Sequence, residues 1–349
     1  MADDNDDDNS ATLALVYSPA ASAVHDRLPS NLGRSSLVHG LIDALGIIKN
    51  RPSAIILRPQ PATADQLGVF HSARYLTILN AFAKEQDVPA TYLHAAGLED
   101  DCPTFKGLIP HVLLSVGGTL SAIQFALSTR DTPRIALHWD GGRHHAKSSA
   151  AGGFCYANDV AIGLHCAISM LSISDHLPGR RLMPRIVYLD LDVHHGDGVE
   201  DAVLEMSDGD VLAVSIHHAS PGFYPGTGTD AIIDAFEWPG DETPTRAIDI
   251  PLARGASDTT VIAAVSMVLT GLQMHSNDSE QPRLVVVQAG ADGLAGDPKA
   301  MGAWNCSTRA IVHSVALIRA VWPVTNLVVL GGGTPFPSSF PWEAVWLTI

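Results

Sequence analysis

The stretch Ile186-Val187-Tyr188-Leu189-Asp190-Leu191-Asp192-Val193-His194-His195-Gly196-Asp197 begins as an unbroken apolar run and ends in alternating carboxylate and imidazole. Its apolar half is too uniform for a strand with one face in water, so it reads as a strand covered on both faces. The reading extends over Arg185–Asp192, and six more segments follow it: Leu13–Tyr17, Ala54–Arg58, Arg134–His138, Val211–His217, Leu284–Gln288 and Asn326–Leu330. Between them, apolar residues recur at helical spacing. Leu37, Val38, Leu41, Ile42, Leu45 and Ile48 form one such set; Val261, Ile262, Val265, Val268, Leu269 and Leu272 form another, with Asp258 as its expected cap. Ser307 is the expected cap of a further helix that must end before Pro323. No repeat or Pro/Ser-rich linker divides the chain. The pattern predicts an α/β fold, a single-domain doubly wound parallel sheet with helices on both faces, across residues 11–333.

The bulk composition narrows the function classes. At 349 residues and 46% hydrophobic, the chain can bury a large core, and its formal net charge of −16 speaks against direct nucleic-acid or anionic-membrane binding. A basic partner or substrate suits that charge. Residues 1–10 carry part of it and read as an acidic, disordered tail; residues 334–349 read as a separate C-terminal tail. Cys102, Cys155, Cys166 and Cys306 form no CxxC pair and read as reduced thiols. No basic-then-apolar leader is evident, and the expected location is the nucleus, with the cytoplasm as an additional site. The apolar stretch from Ile311 to Leu330 contains His313, Arg319 and Pro323, so it reads as a helix followed by a strand and not as a membrane span.

In open parallel sheets, ligand sites form beyond the carboxyl ends of the strands. Four strand ends here are followed by loops rich in His, Asp and Gly: residues 139–145, 192–197, 217–228 and 290–297. Alternate residues of a strand share a side, so Asp190, Asp192 and His194 can converge on one point. Carboxylates beside an imidazole suit zinc or a similar divalent metal, and Asp292, in Gln288-Ala289-Gly290-Ala291-Asp292-Gly293, can complete an Asp, His, Asp set. Three protein ligands leave room for water and a carbonyl oxygen, as a catalytic metal requires. Gly141-Gly142-Arg143-His144-His145 supplies two histidines for acid–base work near pH 7, with Asp190 and Asp197 as candidates to fix their tautomers. Gly152-Gly153-Phe154-Cys155-Tyr156 and Ser220-Pro221-Gly222-Phe223-Tyr224-Pro225-Gly226 place aromatic rings among turn residues. Beside a metal, two such rings would form a narrow slot for an extended alkyl chain.

Together with Arg34-Ser35-Ser36-Leu37-Val38-His39, Asp101-Cys102-Pro103 and Ala291-Asp292-Gly293-Leu294-Ala295-Gly296-Asp297-Pro298, these motifs resemble the class I histone deacetylases, of the zinc-dependent arginase/deacetylase fold, over most of the chain. The resemblance implies one catalytic zinc held by Asp192, His194 and Asp292. It implies a proton-transfer pair of His144 and His145, oriented by Asp190 and Asp197 respectively. Phe154, Tyr224 and Gly153 would line an acetyl-lysine channel, with Asp101 holding substrate backbone at its rim. A structural potassium ion is implied near Asp190, Asp192, His194, Ser215 and Ile216. The implied reaction is hydrolysis of N6-acetyl-lysine in histone tails or other proteins, in chromatin silencing, with corepressor subunits as partners. The same fold also serves deacetylases of acetylpolyamines. The chain departs from the family pattern at Arg143, where Leu or Trp is common, at Tyr224, where Phe is usual, and at Lys299, where an apolar residue is usual. The family's Leu-Gly-Gly-Gly-Gly-Tyr reads Leu330-Gly331-Gly332-Gly333-Thr334-Pro335 here, and no tyrosine follows Tyr224. That tyrosine donates a hydrogen bond to the substrate oxygen, so the sequence leaves open a catalytically impaired binding or scaffold protein.

Overall fold

The computed structural model describes residues 12–51, 53–84, 86–129, 132–174, 183–206, 210–229, 246–274 and 280–332. The acidic run 1–10 and the tail 334–349 lie outside them. Eight strands form one sheet: β1 (Thr12–Val16), β2 (Ile55–Leu57), β3 (Arg134–His138), β4 (Ile186–Asp190), β5 (Val211–His218), β6 (Ala247–Leu252), β7 (Leu284–Gln288) and β8 (Asn326–Leu330). Their order is β2-β1-β3-β8-β7-β4-β5-β6, and every pairing is parallel. Seven of these were legible as apolar runs. β6 was not, because Ala247-Ile248-Asp249-Ile250-Pro251-Leu252 interrupts its apolar residues with Asp and Pro. Proline has no N–H to give, and β6 lies at an edge of the sheet, where that loss is tolerated.

The parallel sheet is covered on both faces, and successive residues of each strand divide between them. Leu13, Leu15, Ile135, Leu137, Val187, Leu189, Val285 and Val287 pack against the helices Arg34–Ala44, Asp258–Met274 and Arg309–Val321. Ala14, Val16, Ala136, Ile186, Tyr188, Leu284 and Val286 pack against Leu108–Leu127, Asp159–Ser174 and Asp197–Glu205. The helix Leu108–Leu127 is long and apolar enough to cross a membrane by length and composition, but 61% of its most apolar window is buried inside this fold. A smaller cluster, including Tyr75, Leu79, Val112, Val116 and Tyr156, supports the loops beside the site.

Two local expectations change. Asp258 does not cap its own helix from outside: it is the first helical residue, and its carboxylate accepts the Ser307 backbone N–H and hydroxyl, both at 2.6 Å. Ser307 in turn accepts the Arg309 N–H at 3.3 Å, and that helix ends at Val321, before Pro323. β4 also stops at Asp190, so Asp192 and His194 belong to the turn beyond it. Their convergence therefore comes from a loop, not from strand alternation.

The chain winds outward through β1 and β2 on one side and through β4, β5 and β6 on the other, with β7 and β8 filling the centre. The loops after β3, β4, β5 and β7 thus share one rim at the point where strand order reverses.

Candidate active site

Asp192, His194 and Asp292 each offer a ligand atom, and these atoms lie within 4.8 Å of one another. His194 Nδ1 is 3.1 Å from Asp192 Oδ1 and 2.9 Å from Asp292 Oδ2. Both carboxylates are buried, at 1% and 3% exposure. Burial raises the Asp292 pKa first and the Asp192 charge adds to it, bringing it to about 6. Asp192 is held well below the usual carboxylate range, because His144 and His194 outweigh its own burial. Burial disfavours charge on His194, but Asp292 and Asp192 overcome this and raise its pKa to about 10. Two buried carboxylates pressed against one imidazole call for a cation, and the donor set is one that zinc accepts.

Gln288, to which the sequence reading gave no role, organises this set. It is fully buried, and its Nε2 donates to Asp192 Oδ2 at 3.0 Å and to the Gly142 carbonyl at 3.3 Å. Its Oε1 accepts the Gly290 N–H at 2.7 Å. Gly290 packs so closely that a Cβ there would lie 2.1 Å from Asp192 Oδ2. The available signal was a lone amide at the end of an otherwise apolar strand.

His144 and His145 stand beside the ligand set with ring centroids 3.9 Å apart. His144 Nδ1 donates to Asp190 Oδ2 at 2.7 Å, and the same oxygen accepts the Tyr188 hydroxyl at 2.5 Å. His145 Nδ1 donates to Asp197 Oδ1 at 2.8 Å, while Lys147 Nζ lies 2.8 Å from Asp197 Oδ2. The pairing is the one the resemblance implied. Burial lowers the His144 pKa, but Asp190 and Asp192 outweigh it and raise it to about 9. Burial, and then the adjacent His144 charge, lower His145 to about 4. The two rings are thus pushed in opposite directions, His144 toward its charged form and His145 toward its neutral form. Asn158 Nδ2 fixes the loop by donating to the carbonyls of His144 and Ala146 at 3.2 and 3.0 Å.

A cavity of about 270 Å³ opens onto these groups. His144, His145, Asp192, His194 and Asp292 line it together with Gly153, Phe154, Tyr224 and Asp101. Asp190 and Asp197 lie behind the histidines. Gly153 has φ +53°, and a Cβ on it would lie 2.3 Å from His145 Cδ2. Phe154 follows at φ 61°, an uncommon conformation for an aromatic residue. Asp101 Oδ2 accepts the Gly153 N–H at 2.8 Å, which ties the rim to this turn. Lys299 sits over the Phe154 ring at 4.3 Å, and Phe223, also unassigned from sequence, stacks on His194 at 5.0 Å. Arg143 and Cys155 complete the wall.

A second buried group, His195, His217 and Asp249, also meets within 4.8 Å. Its ring nitrogens are occupied: His195 bonds Thr227 at 2.8 Å and Glu200 at 2.6 Å, and His217 bonds Ser215 at 2.9 Å and the Gly228 carbonyl at 2.8 Å. Although burial opposes it, Asp249 and Glu200 raise His195 to about 10, so this group is an ion-paired brace beneath the site.

Residues 28–339 match the histone deacetylase domain. The chain belongs to the histone deacetylase family. Among relatives, histone deacetylase 8 of Danio rerio is 34% identical over 334 residues, 95% of this chain and 80% of that protein. Histone deacetylase 8 of Xenopus tropicalis is 33% identical, covering 94% of this chain and 81% of that protein. Histone deacetylase 6 of Arabidopsis thaliana is 34% identical over 80% of this chain and 53% of that protein. The class I resemblance read from the motifs and the arginase/deacetylase-like fold of this deacetylase-family chain stand on these matches and on the parallel sheet.

Proposed function

We propose that the protein is a zinc-dependent lysine deacetylase that hydrolyses N6-acetyl-lysine in proteins to lysine and acetate. The observation that carries this reading is the convergence of the Asp192, His194 and Asp292 side-chain atoms beside the tandem histidines in the wall of one cavity. Zinc, when bound there, supplies Lewis acidity toward the acyl oxygen and a lowered pKa for the attacking water. The neutral His145, aligned by Asp197, takes a proton from water. The histidine pair then delivers a proton to the departing amine, with His144 oriented by Asp190. Phe154 and Tyr224 hold the lysine stem between rings, and Asp101 stands at the rim to orient substrate backbone. The ends of β4 and β5, around Asp190, Asp192, His194, Ser215 and Ile216, are assigned by family resemblance to a structural potassium ion. Histone tails as substrates, corepressor subunits as partners, chromatin silencing and a nuclear location complete the reading; the acidic net charge of −16 suits a basic tail. We assign residues 11–333 to the deacetylase domain.

The test is hydrolysis of an acetyl-lysine peptide by the full chain, with zinc content measured on the same sample. Turnover lost on chelation and restored by zinc is the expected result; a folded, zinc-loaded and inert protein would overturn the hydrolase reading. One observation favours a second reading, an acetyl-lysine binding or scaffold protein: Thr334 takes the place of the family's fourth glycine, and Pro335 stands where its tyrosine would follow. Under that reading the peptide binds in a metal-dependent manner and is never cleaved.

A further inference from the structure

Arg143 departs from the family pattern and forms part of the cavity wall next to His144. It is 6% exposed, and its Nε is enclosed with no hydrogen-bond partner. The acids around it also serve other groups, although Asp159 feels the Arg143 charge, which lowers its pKa against the larger effect of burial. Asp159 accepts the backbone N–H groups of Gly142 and Arg143, at 3.0 and 2.6 Å, and the Thr119 hydroxyl. Asp140 accepts the Ser35 hydroxyl at 2.9 Å and faces His39 at 3.4 Å. Arg34, the other buried guanidinium nearby, donates to main-chain carbonyls at Trp139, Gly331 and Gly332. The rings of His25 and His111 are 3.0 Å apart at their Nδ1 atoms, and burial lowers both pKa values, so they remain neutral donors or acceptors and supply no negative charge. The guanidinium of Arg143 is thus largely buried at a cavity wall, with its Nε donor lacking an acceptor.

The unpartnered Nε leaves room for a planar anion, and a carboxylate matches the guanidinium fork with two parallel hydrogen bonds. The aromatic slot of Phe154 and Tyr224 admits an extended chain, and an acyl group carried past it arrives beside His144, on the loop that bears Arg143. We propose that Arg143 binds the terminal carboxylate of a dicarboxylic acyl group on lysine, so that the cavity accepts succinyl-like chains as well as acetyl. The proposal rests on the lysine-deacylase reading above. The chemistry stays balanced: water adds to the acyl carbon, the C–N bond breaks, the nitrogen leaves protonated as lysine amine, and the acid departs as succinate.

The experiment compares peptides carrying N6-succinyl-lysine and its neutral succinamoyl analogue on the zinc-loaded full chain, with acetyl-lysine alongside. Selectivity is read as kcat/KM where turnover occurs and as Kd by fluorescence anisotropy where it does not. Wild type is expected to prefer the carboxylate over the amide by roughly 10–100-fold. Arg143→Leu should lose that preference and Arg143→Lys should keep part of it. Equal handling of the two peptides by wild type, or a preference that survives in Arg143→Leu, would overturn the proposal. An intact, Arg143-dependent binding preference without any hydrolysis would support it while removing the hydrolase reading. Free acetate is the last arm: competition that needs Arg143, without selectivity between the acyl peptides, would assign the guanidinium to the departing acid and overturn acyl selection.

Discussion

A methyl group on Gly153 has nowhere to go: it would meet His145 Cδ2 at 2.3 Å, on a backbone at φ +53°. Gly153→Ala must therefore displace the ring that we assign to proton transfer. Because misplacement of about 1 Å can cost on the order of 10²-fold in rate, kcat/KM on an acetyl-lysine peptide is expected to fall by ~10² with zinc content unchanged. Gln288→Leu acts on the other side of the site. It removes the 3.0 Å donor to Asp192 Oδ2, and competition with a chelator is expected to show zinc affinity lowered by roughly 10–100-fold. At this scale the gathering of Asp192, His194 and Asp292 beside the tandem histidines was legible in the sequence, because neither core packing nor turn formation by itself crowds Asp, His and Gly so densely behind apolar runs. Gln288 and Phe223 escaped because their roles depend on which atoms they meet across 96 and 29 residues of chain, respectively, and one residue type carries no such address.

Each central strand is a short apolar element with no exposed face, so its side chains are the sheet's adhesive. Ile186 opens β4, is fully buried, and packs among the residues shared with Leu108–Leu127 and Asp159–Ser174. Ile186→Ala removes three buried carbons and leaves a cavity. Urea denaturation is expected to register a loss of about 2–5 kcal/mol. Elements of this kind were readable, with β3, β7 and β8 matching their expected bounds, because burial on both faces forces uniform apolarity. The edge strand β6 was hidden for the converse reason. Pro251 is permitted at the sheet edge and Asp249, although buried, is paired with His195 at 3.1 Å, so both break the apolar pattern. The role of Asp258 was misjudged because its cap-like position said nothing of Ser307, 49 residues later.

The molecule as a whole encloses several histidines as neutral rings. Burial is the largest cause in each case, lowering His71 to about 4 and His138 to about 3, with His25 and His111 also lowered. The unfolded chain protonates these rings near their ordinary pKa of 6.5, whereas the folded chain does not. Their stabilising contribution is therefore complete above pH ~6.5 and is lost as pH falls toward the folded values, at up to about 1.4 kcal/mol per pH unit for each ring. Groups with raised pKa values, such as His195 at about 10, act in the opposite window and lose their contribution only as pH rises from 6.5 toward 10. Thermal unfolding between pH 7 and pH 4 is expected to show a steady fall in Tm, and a flat profile would contradict the enclosed neutral rings.

The order of the strands has a consequence for synthesis. β8, whose Leu327 to Leu330 pair with β3 on one side and whose Asn326 to Leu330 pair with β7 on the other, is the last strand made among the described residues and sits in the middle of the sheet. A ribosome that has released residues up to Thr325 has exposed a chain whose two half-sheets each present a raw inner edge toward the missing strand. Vectorial folding cannot close this molecule. Until β8 threads home, the nascent protein has two sticky borders where its centre will be, each a raw edge open to pairing with another chain.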